Sequence, residues 1–230
     1  MRLFKLVLEN NILEFNAELY KQEIGAAMGS KPVPPYANIF MGKKIDPKIL
    51  EIAAKFIKNG QVPMEYLKRF LDDYFSFWMG SSKDLHLFYE EINKIHQNIK
   101  FTIKHTYNNQ EAPEDRCDCI PEKSIPFLDT NLTVINGKIS VDLYRKPTDK
   151  NQYLLTNSIH PPDCIKNIPY SLALRITRTC TEQDNRELRF TEIKEFLIER
   201  KYRKSLIDAS IRRARAIPRS VALKRVAKPP

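Results

Sequence analysis

Glycine is scarce in these 230 residues, six against fifteen prolines, which excludes collagen-like repeats and Gly/Ser linker character. Cysteine is scarcer still. Cys117, Cys119, Cys164 and Cys180 are too few and too irregular for a disulfide framework, and the Cys-x-Cys pair has no second pair at zinc-finger spacing. They read as reduced thiols. No apolar run approaches the roughly 18 residues that a bilayer span needs. Lys5 and Glu9 break the opening Met1–Glu9 stretch before a signal-peptide core develops. The expectation is an intracellular chain without a membrane partner. Acidic residues are the minority: 28 Asp and Glu face 38 Lys and Arg, giving a net charge of +10 and a pI near 9.4 that favour polyanionic partners. With 42% hydrophobic and 29% charged residues, the length suits one large folded domain or two small ones.

What is present divides by periodicity. Leu3, Leu6 and Val7 have helical spacing up to Asn10, and Ile12–Tyr20 reads as extended. Gly25–Ser30 is small and flexible enough for another backbone or a ligand to come close. Pro32, Pro34 and Pro35 introduce a helix over Tyr36–Met41, and Asp46-Pro47 repeats that grammar as N-cap and first helical residue. The second helix carries Ile49, Leu50, Ala53, Phe56 and Ile57, and ends at Asn59-Gly60. Ser81 or Ser82 caps a further helix with Leu85, Phe88, Ile92 and Ile95 on one face, and Ile99–Lys104 alternates like a half-buried strand. Residues 107–124 read as a loop. Asn136-Gly137, between Phe127–Val134 and Ile139–Tyr144, is the strongest hairpin signal in the chain.

A second hairpin is predicted over Tyr66–Met79, with Asp72-Asp73 at its tip. Adjacent carboxylates are poor turn chemistry, because a two-residue tip favours positive φ and like charges repel. A solvated turn is the plain explanation. The alternative is that Asp72 and Asp73 hold Mg²⁺, since hard cations take oxygen ligands and share their shell with phosphates. His86, His96 and His105 are expected on helix or strand surfaces, and His160 in a turn; none has a partnered Cys or Ser, so nucleophilic catalysis finds no support.

Past Pro161-Pro162 the pattern is helical, over about 166–180, 184–200 and 203–216, with a basic tail over 218–230. From Arg186 to Lys228, fourteen Lys and Arg stand against five Asp and Glu, so nearly the whole net charge lies here. Arg186, Arg189, Arg200, Lys201, Arg203, Lys204, Arg212, Arg213 and Arg215 are the candidates for phosphate neutralisation. Some of them will instead cover a solvated helix face. The stretch Ile168–Leu206 also has the form of a helix-turn-helix unit, with Gln183, Asn185 and Arg186 available to read bases. Domain limits are expected at 1–150, 151–217 and 218–230.

Several segments, in order, resemble the reverse transcriptases of Penelope-like retroelements. Gln22-Glu23-Ile24-Gly25-Ala26-Ala27-Met28-Gly29-Ser30, followed by Pro34 or Pro35 and Ala37-Asn38, is similar to the family's Q-x-x-G-x-x-M-G-[ST]…P…A-N motif. Phe70-Leu71-Asp72-Asp73 resembles its Y-x-D-D catalytic hairpin, with Phe in place of Tyr. Further landmarks are Asn93, Ile99–Thr102, Ile125–Asp129, Leu143–Asp149, Ser158–Pro161 and Ile168–Arg175, so the similarity runs to about Tyr202. The resemblance implies an α+β fold: part of a palm, with antiparallel strands and flanking helices, then an all-helical basic region like a thumb. It implies catalytic and metal roles for Asp72 and Asp73, and template or nucleotide contacts for Gln22, Gly25, Met28, Gly29 and Ser30. RNA template and DNA primer become the expected partners, and the nucleus the expected location.

The family's third carboxylate, on a strand before the Gln-Gly segment, has no counterpart, for Glu9, Glu14 and Glu18 sit in nothing like its motif. Fingers and a trailing endonuclease are not matched either. The expectation is an N-terminally truncated palm and thumb, inactive as a polymerase by itself and in need of a complementing polypeptide. A nucleic-acid-binding helix-turn-helix module without enzymatic activity, and a relic of a genomic element, are the other two readings.

Overall fold

The structure is a computed structural model that describes residues 2–106, 120–121 and 124–224. Most of the loop expected over 107–124, with Cys117 and Cys119, lies outside the described residues, as does 225–230 of the tail. The chain divides into two compact units, one reaching Ile103 and the other running from Pro121 onward with Lys104–Thr106 added.

In the first unit the helical spacing at the start gives α1 (Arg2–Glu9), and the extended segment folds as a hairpin of β1 (Ile12–Phe15) and β2 (Glu18–Lys21). Its tip residues Asn16 and Ala17 both have positive φ, as a two-residue turn that follows strand twist requires. The prolines open α2 (Val33–Phe40), but the break expected at Asp46 does not occur. A π-helical turn at Met41–Ile45 carries α2 into α3 (Asp46–Ala54), so Asp46 is helical and caps nothing. Its carboxylate accepts instead from Arg69 and Tyr74. Ile49, Ile52 and Ala53 of α3 are buried, whereas Leu50 and Ile57, expected on the same face, are exposed.

The aromatic hairpin forms as β3 (Met64–Phe70) and β4 (Asp73–Trp78), and α4 (Ser82–Ile92) follows with Ser81 Oγ accepting from the Asp84 amide. Met64, Leu85, Phe88 and Ile92 close a core with Ile45, Ile49, Ile52 and Ala53. Ile99–Lys104 alternates in burial as expected, yet forms no ladder before the two-residue strand β5 (Lys104–His105). The Asn93 side chain replaces the missing partner: Nδ2 donates to the Phe101 carbonyl at 3.2 Å and Oδ1 accepts from its amide at 2.7 Å. His86 and His105, expected at the surface, are buried, because each follows the apolar face of its segment inward. A second two-residue strand, β6, is Ile120–Pro121.

The second unit joins a three-stranded antiparallel sheet to a helical array. β8 (Thr130–Ile135) and β9 (Lys138–Leu143) meet at Asn136-Gly137, both at positive φ, which is the hairpin that the sequence announces. β7 (Ile125–Phe127) adds an unanticipated edge strand, because Leu128 turns at φ +55° where a continuous strand is expected. The helices are α5 (Pro162–Thr179), α6 (Gln183–Glu199), α7 (Lys204–Arg215) and the short α8 (Arg219–Ala222). α5 starts ahead of the expected position because Pro162, with its missing amide and preset φ, sits at its first turn. Ala173, Ile176, Phe190, Ile193, Leu197, Ile207, Ile211 and Ala214 form one core beneath these helices, with Leu143 of β9 inside it. The sheet is therefore packed with the helices, and the division between units falls well before the boundary expected at 150.

Candidate nucleic-acid interface

The acidic hairpin differs from its expected geometry by one residue. Leu71 and Asp72 form the turn, with positive φ on Leu71, while Asp73 begins β4 opposite Phe70. Both carboxylates are exposed. What holds this turn is Arg69, a residue the sequence reading passed over. Its Nε donates to Asp46 of α3 at 3.0 Å, and its Nη1 donates to Asn38 Oδ1 of α2 at 2.8 Å and to the Leu71 carbonyl at 2.9 Å. Tyr74 shares the same Asp46, and burial, then that hydrogen bond, push its phenol well above the usual range. Asn38 belongs to the Ala-Asn pair that follows the glycine-rich segment, so one guanidinium ties that helix to the acidic turn.

The glycine-rich segment is an exposed loop with Gly25 and Gly29 at φ +88° and +91°. Gln22 Nε2 donates to the Ile24 carbonyl at 2.9 Å, and a Cβ on Gly25 would stand 3.3 Å from that nitrogen. Met28 is fully exposed and Ser30 half-buried, its carbonyl accepting from the Val33 amide. Among the described residues no hydrogen bond joins this loop to Asp72 or Asp73, and no group of three or more His, Cys, Asp or Glu side chains is placed to hold a metal ion.

In the second unit a four-residue turn joins α6 to α7. The turn closes by hydrogen bonds: the Tyr202 amide donates to Leu197 at 3.0 Å and the Lys201 amide to Ile198 at 2.9 Å, with Lys201 in the left-handed region at φ +67°. Buried Tyr202 packs into the core with Leu197, completing a Schellman motif that carries Lys where Gly is usual. Thr177 bridges α5 to α7, its hydroxyl 3.2 Å from the carbonyls of Ala173 and Ala214. Between α5 and α6, Thr181 exchanges hydrogen bonds with Val141 of β9, and the Cys180 thiol donates to Asp142. Burial, then Asp142, push that thiol up to about 11, so it stays protonated at neutral pH.

The nine candidate cations separate into two groups. Arg189 is structural: Nη2 reaches Asp142 Oδ2 and Nη1 reaches Glu192, both at 2.6 Å. Arg215 pairs with Glu187 and lies over Phe190, Arg186 donates to the Cys180 carbonyl, and Arg213 stacks on Tyr170 at 4.0 Å. Gln183, weighed as a base reader, donates to Glu187. Gln183 and Arg186 are thus occupied within their own unit, and Asn185 is half-buried on the same turn of α6. Lys201, Arg203, Lys204 and Arg212 are exposed, Arg200 is half-exposed, and none of the five is in a salt bridge among the described residues. Four of them lie in the turn or on the first residue of α7. Asp208, beside them on α7, pairs with Lys194 at 2.6 Å, which holds its carboxyl below the usual range.

No helix among the described residues is long and apolar enough to cross a membrane. No curated protein and no solved structure matches the chain at a significant level. Residues 152–212, which span α5, α6 and the first part of α7, match the family model of the animal helix-turn-helix domain.

Proposed function

We propose that the second unit binds nucleic acid through its helix-turn-helix, with α7 presented to the strand and Lys201, Arg203, Lys204 and Arg212 neutralising phosphates. The observation that carries this reading is that these four cations are exposed and, among the described residues, in no salt bridge, on the segment that matches the helix-turn-helix family, while neighbouring arginines are occupied within the fold. Phosphate contacts of this kind position a protein without reading sequence, and each releases counterions. Anisotropy titrations with a random-sequence duplex should therefore give a log affinity that falls against log salt with a slope of about −3.6, near −0.9 for each of four phosphate contacts. Replacing all four by Gln should abolish binding at moderate salt. A slope near zero, or binding that survives the fourfold replacement, overturns the assignment.

A second reading is that the first unit descends from a reverse-transcriptase palm that worked with an RNA template and a DNA primer. It is supported by the Arg69 bridge, which joins Asn38, after the glycine-rich loop, to the turn bearing Asp72. Primer extension on an RNA template with Mg²⁺ or Mn²⁺ tests it. The expected result is no synthesis by the chain alone, and Asp72-dependent synthesis when a polypeptide supplying fingers and the third carboxylate is added. Incorporation that is indifferent to Asp72→Ala, or none with the added polypeptide, counts against this descent.

A further inference from the structure

Away from the cations of the turn and α7, the second unit contains a small, partly enclosed cavity of about 40 Å³. Arg145, Asp149 and Tyr153 line it from the segment after β9, and Arg175 from α5, with Leu172 and Ile176 as its apolar wall. Arg145 is fixed in place: Nη1 donates to Glu192 at 3.1 Å and the guanidinium carbon Cζ lies 4.9 Å from the Phe196 ring centroid. Its Nη2 is enclosed and has no hydrogen-bond acceptor among the described residues. A buried guanidinium donor left without an acceptor is costly, because the desolvation of a charged group is not returned. Arg175 is also anchored, by Asp129 at 2.7 Å, and Asp149 lines the cavity beside the Tyr153 ring, so the open Nη2 of Arg145, rather than an excess of positive charge, is what the site offers a ligand. Burial raises the Tyr153 phenol, which keeps it a neutral hydroxyl able to donate.

We propose that this cavity is a binding site for a single oxyanion group, a phosphate, one oxygen of which accepts from Arg145 Nη2 while the Tyr153 hydroxyl and Arg175 complete the shell. Its size sets the class of ligand. The cavity is a few times the roughly 10–15 Å³ that holds one water, which suits a single small tetrahedral oxyanion. Arginine suits this role because its planar fork holds oxyanion oxygens in a fixed geometry. Asp149 favours a ligand that can be protonated, as a phosphate monoester or inorganic phosphate can, over sulfate.

Isothermal titration of the full chain with inorganic phosphate, and separately with a 5′-phosphorylated dinucleotide, tests the site and separates its two sources. Wild type should bind one equivalent saturably. Arg145→Lys, which keeps the charge but loses the fork, should weaken binding about tenfold or more, and Tyr153→Phe several-fold. Stronger binding of the dinucleotide assigns the ligand to nucleic-acid ends; equal binding of both assigns it to the phosphate group itself. The variant with Lys201, Arg203, Lys204 and Arg212 all replaced by Gln should retain phosphate binding in full, so failure of this site and failure of the duplex-binding reading are distinguished. Absence of saturable binding by wild type, or affinity unchanged in both single variants with circular dichroism intact, overturns the proposal.

Discussion

Among single residues, those with the largest energetic consequence are not those that the charge count singles out. Arg189 looks like one more cation of the basic tail, but its fork is closed on Asp142 and Glu192 with less than a quarter of its side chain exposed. Removing one partner of such a bridge strands the other. Arg189→Met should therefore cost about 2 kcal/mol of unfolding free energy, between the limits for exposed and buried pairs, and leave duplex affinity unchanged. Asp142 adds a pH signature. Burial opposes its charge, but Arg189, the Leu143 amide and the Cys180 thiol outweigh it and hold the carboxyl below the usual range. A depressed folded value means that this stabilisation is complete above the unfolded value of about 4 and is lost as pH falls through the folded one. Urea midpoints taken between pH 6 and pH 2.5 should fall on the acid side in wild type, and fall less steeply in Asp142→Asn. In the other unit Arg69 has the same character: Arg69→Met should destabilise the hairpin by about 2 kcal/mol, seen as faster amide exchange along β3 and β4.

At the scale of elements, the α6–α7 turn separates stability from function. Lys201 occupies a left-handed position that costs a residue with Cβ roughly 1 kcal/mol, and glycine adopts it freely. Lys201→Gly should thus raise the thermal midpoint of the second unit while lowering the salt slope of duplex binding by about one phosphate contact, a pairing that loss of fold cannot produce. The helices themselves were legible in the sequence because apolar spacing over a dozen or more residues survives local exceptions, and Asn136-Gly137 was legible because its turn chemistry has few alternatives. The failures share a cause. Asp46-Pro47 has the grammar of a helix start, but a π turn absorbs the junction and Asp46 is drawn into a tertiary bridge with Arg69. Ile99–Lys104 alternates as a strand, but Asn93 satisfies its backbone from a helix. Leu128 and Leu71 take positive φ that no residue preference signals. Likewise, sequence ranked nine cations alike because pairing with Asp142, Glu187 or Tyr170 is decided by side chains 28 to 47 positions distant.

For the molecule as a whole, the two hydrophobic cores draw on disjoint parts of the chain. One is built from residues between Phe40 and Ile103, the other from residues between Leu143 and Ala214. Each closes its own buried side chains, so each unit is expected to unfold as its own cooperative step. The chain supplies a convenient reporter, because its single tryptophan, Trp78, packs against Phe56 and Phe88 in the first unit, whereas the three long helices α5, α6 and α7 lie in the second. Fluorescence then follows one unit and far-ultraviolet circular dichroism chiefly the other. Leu197, fully buried between the helices, is the test position. Leu197→Ala should cost about 3 kcal/mol through lost transfer energy and the cavity left behind. In urea, the dichroism transition should move to lower denaturant while the Trp78 fluorescence transition stays in place. Coincident transitions that shift together would show instead that the two cores unfold as one, and any nucleic-acid site on α7 would then draw its stability from the acidic hairpin's unit as well as its own.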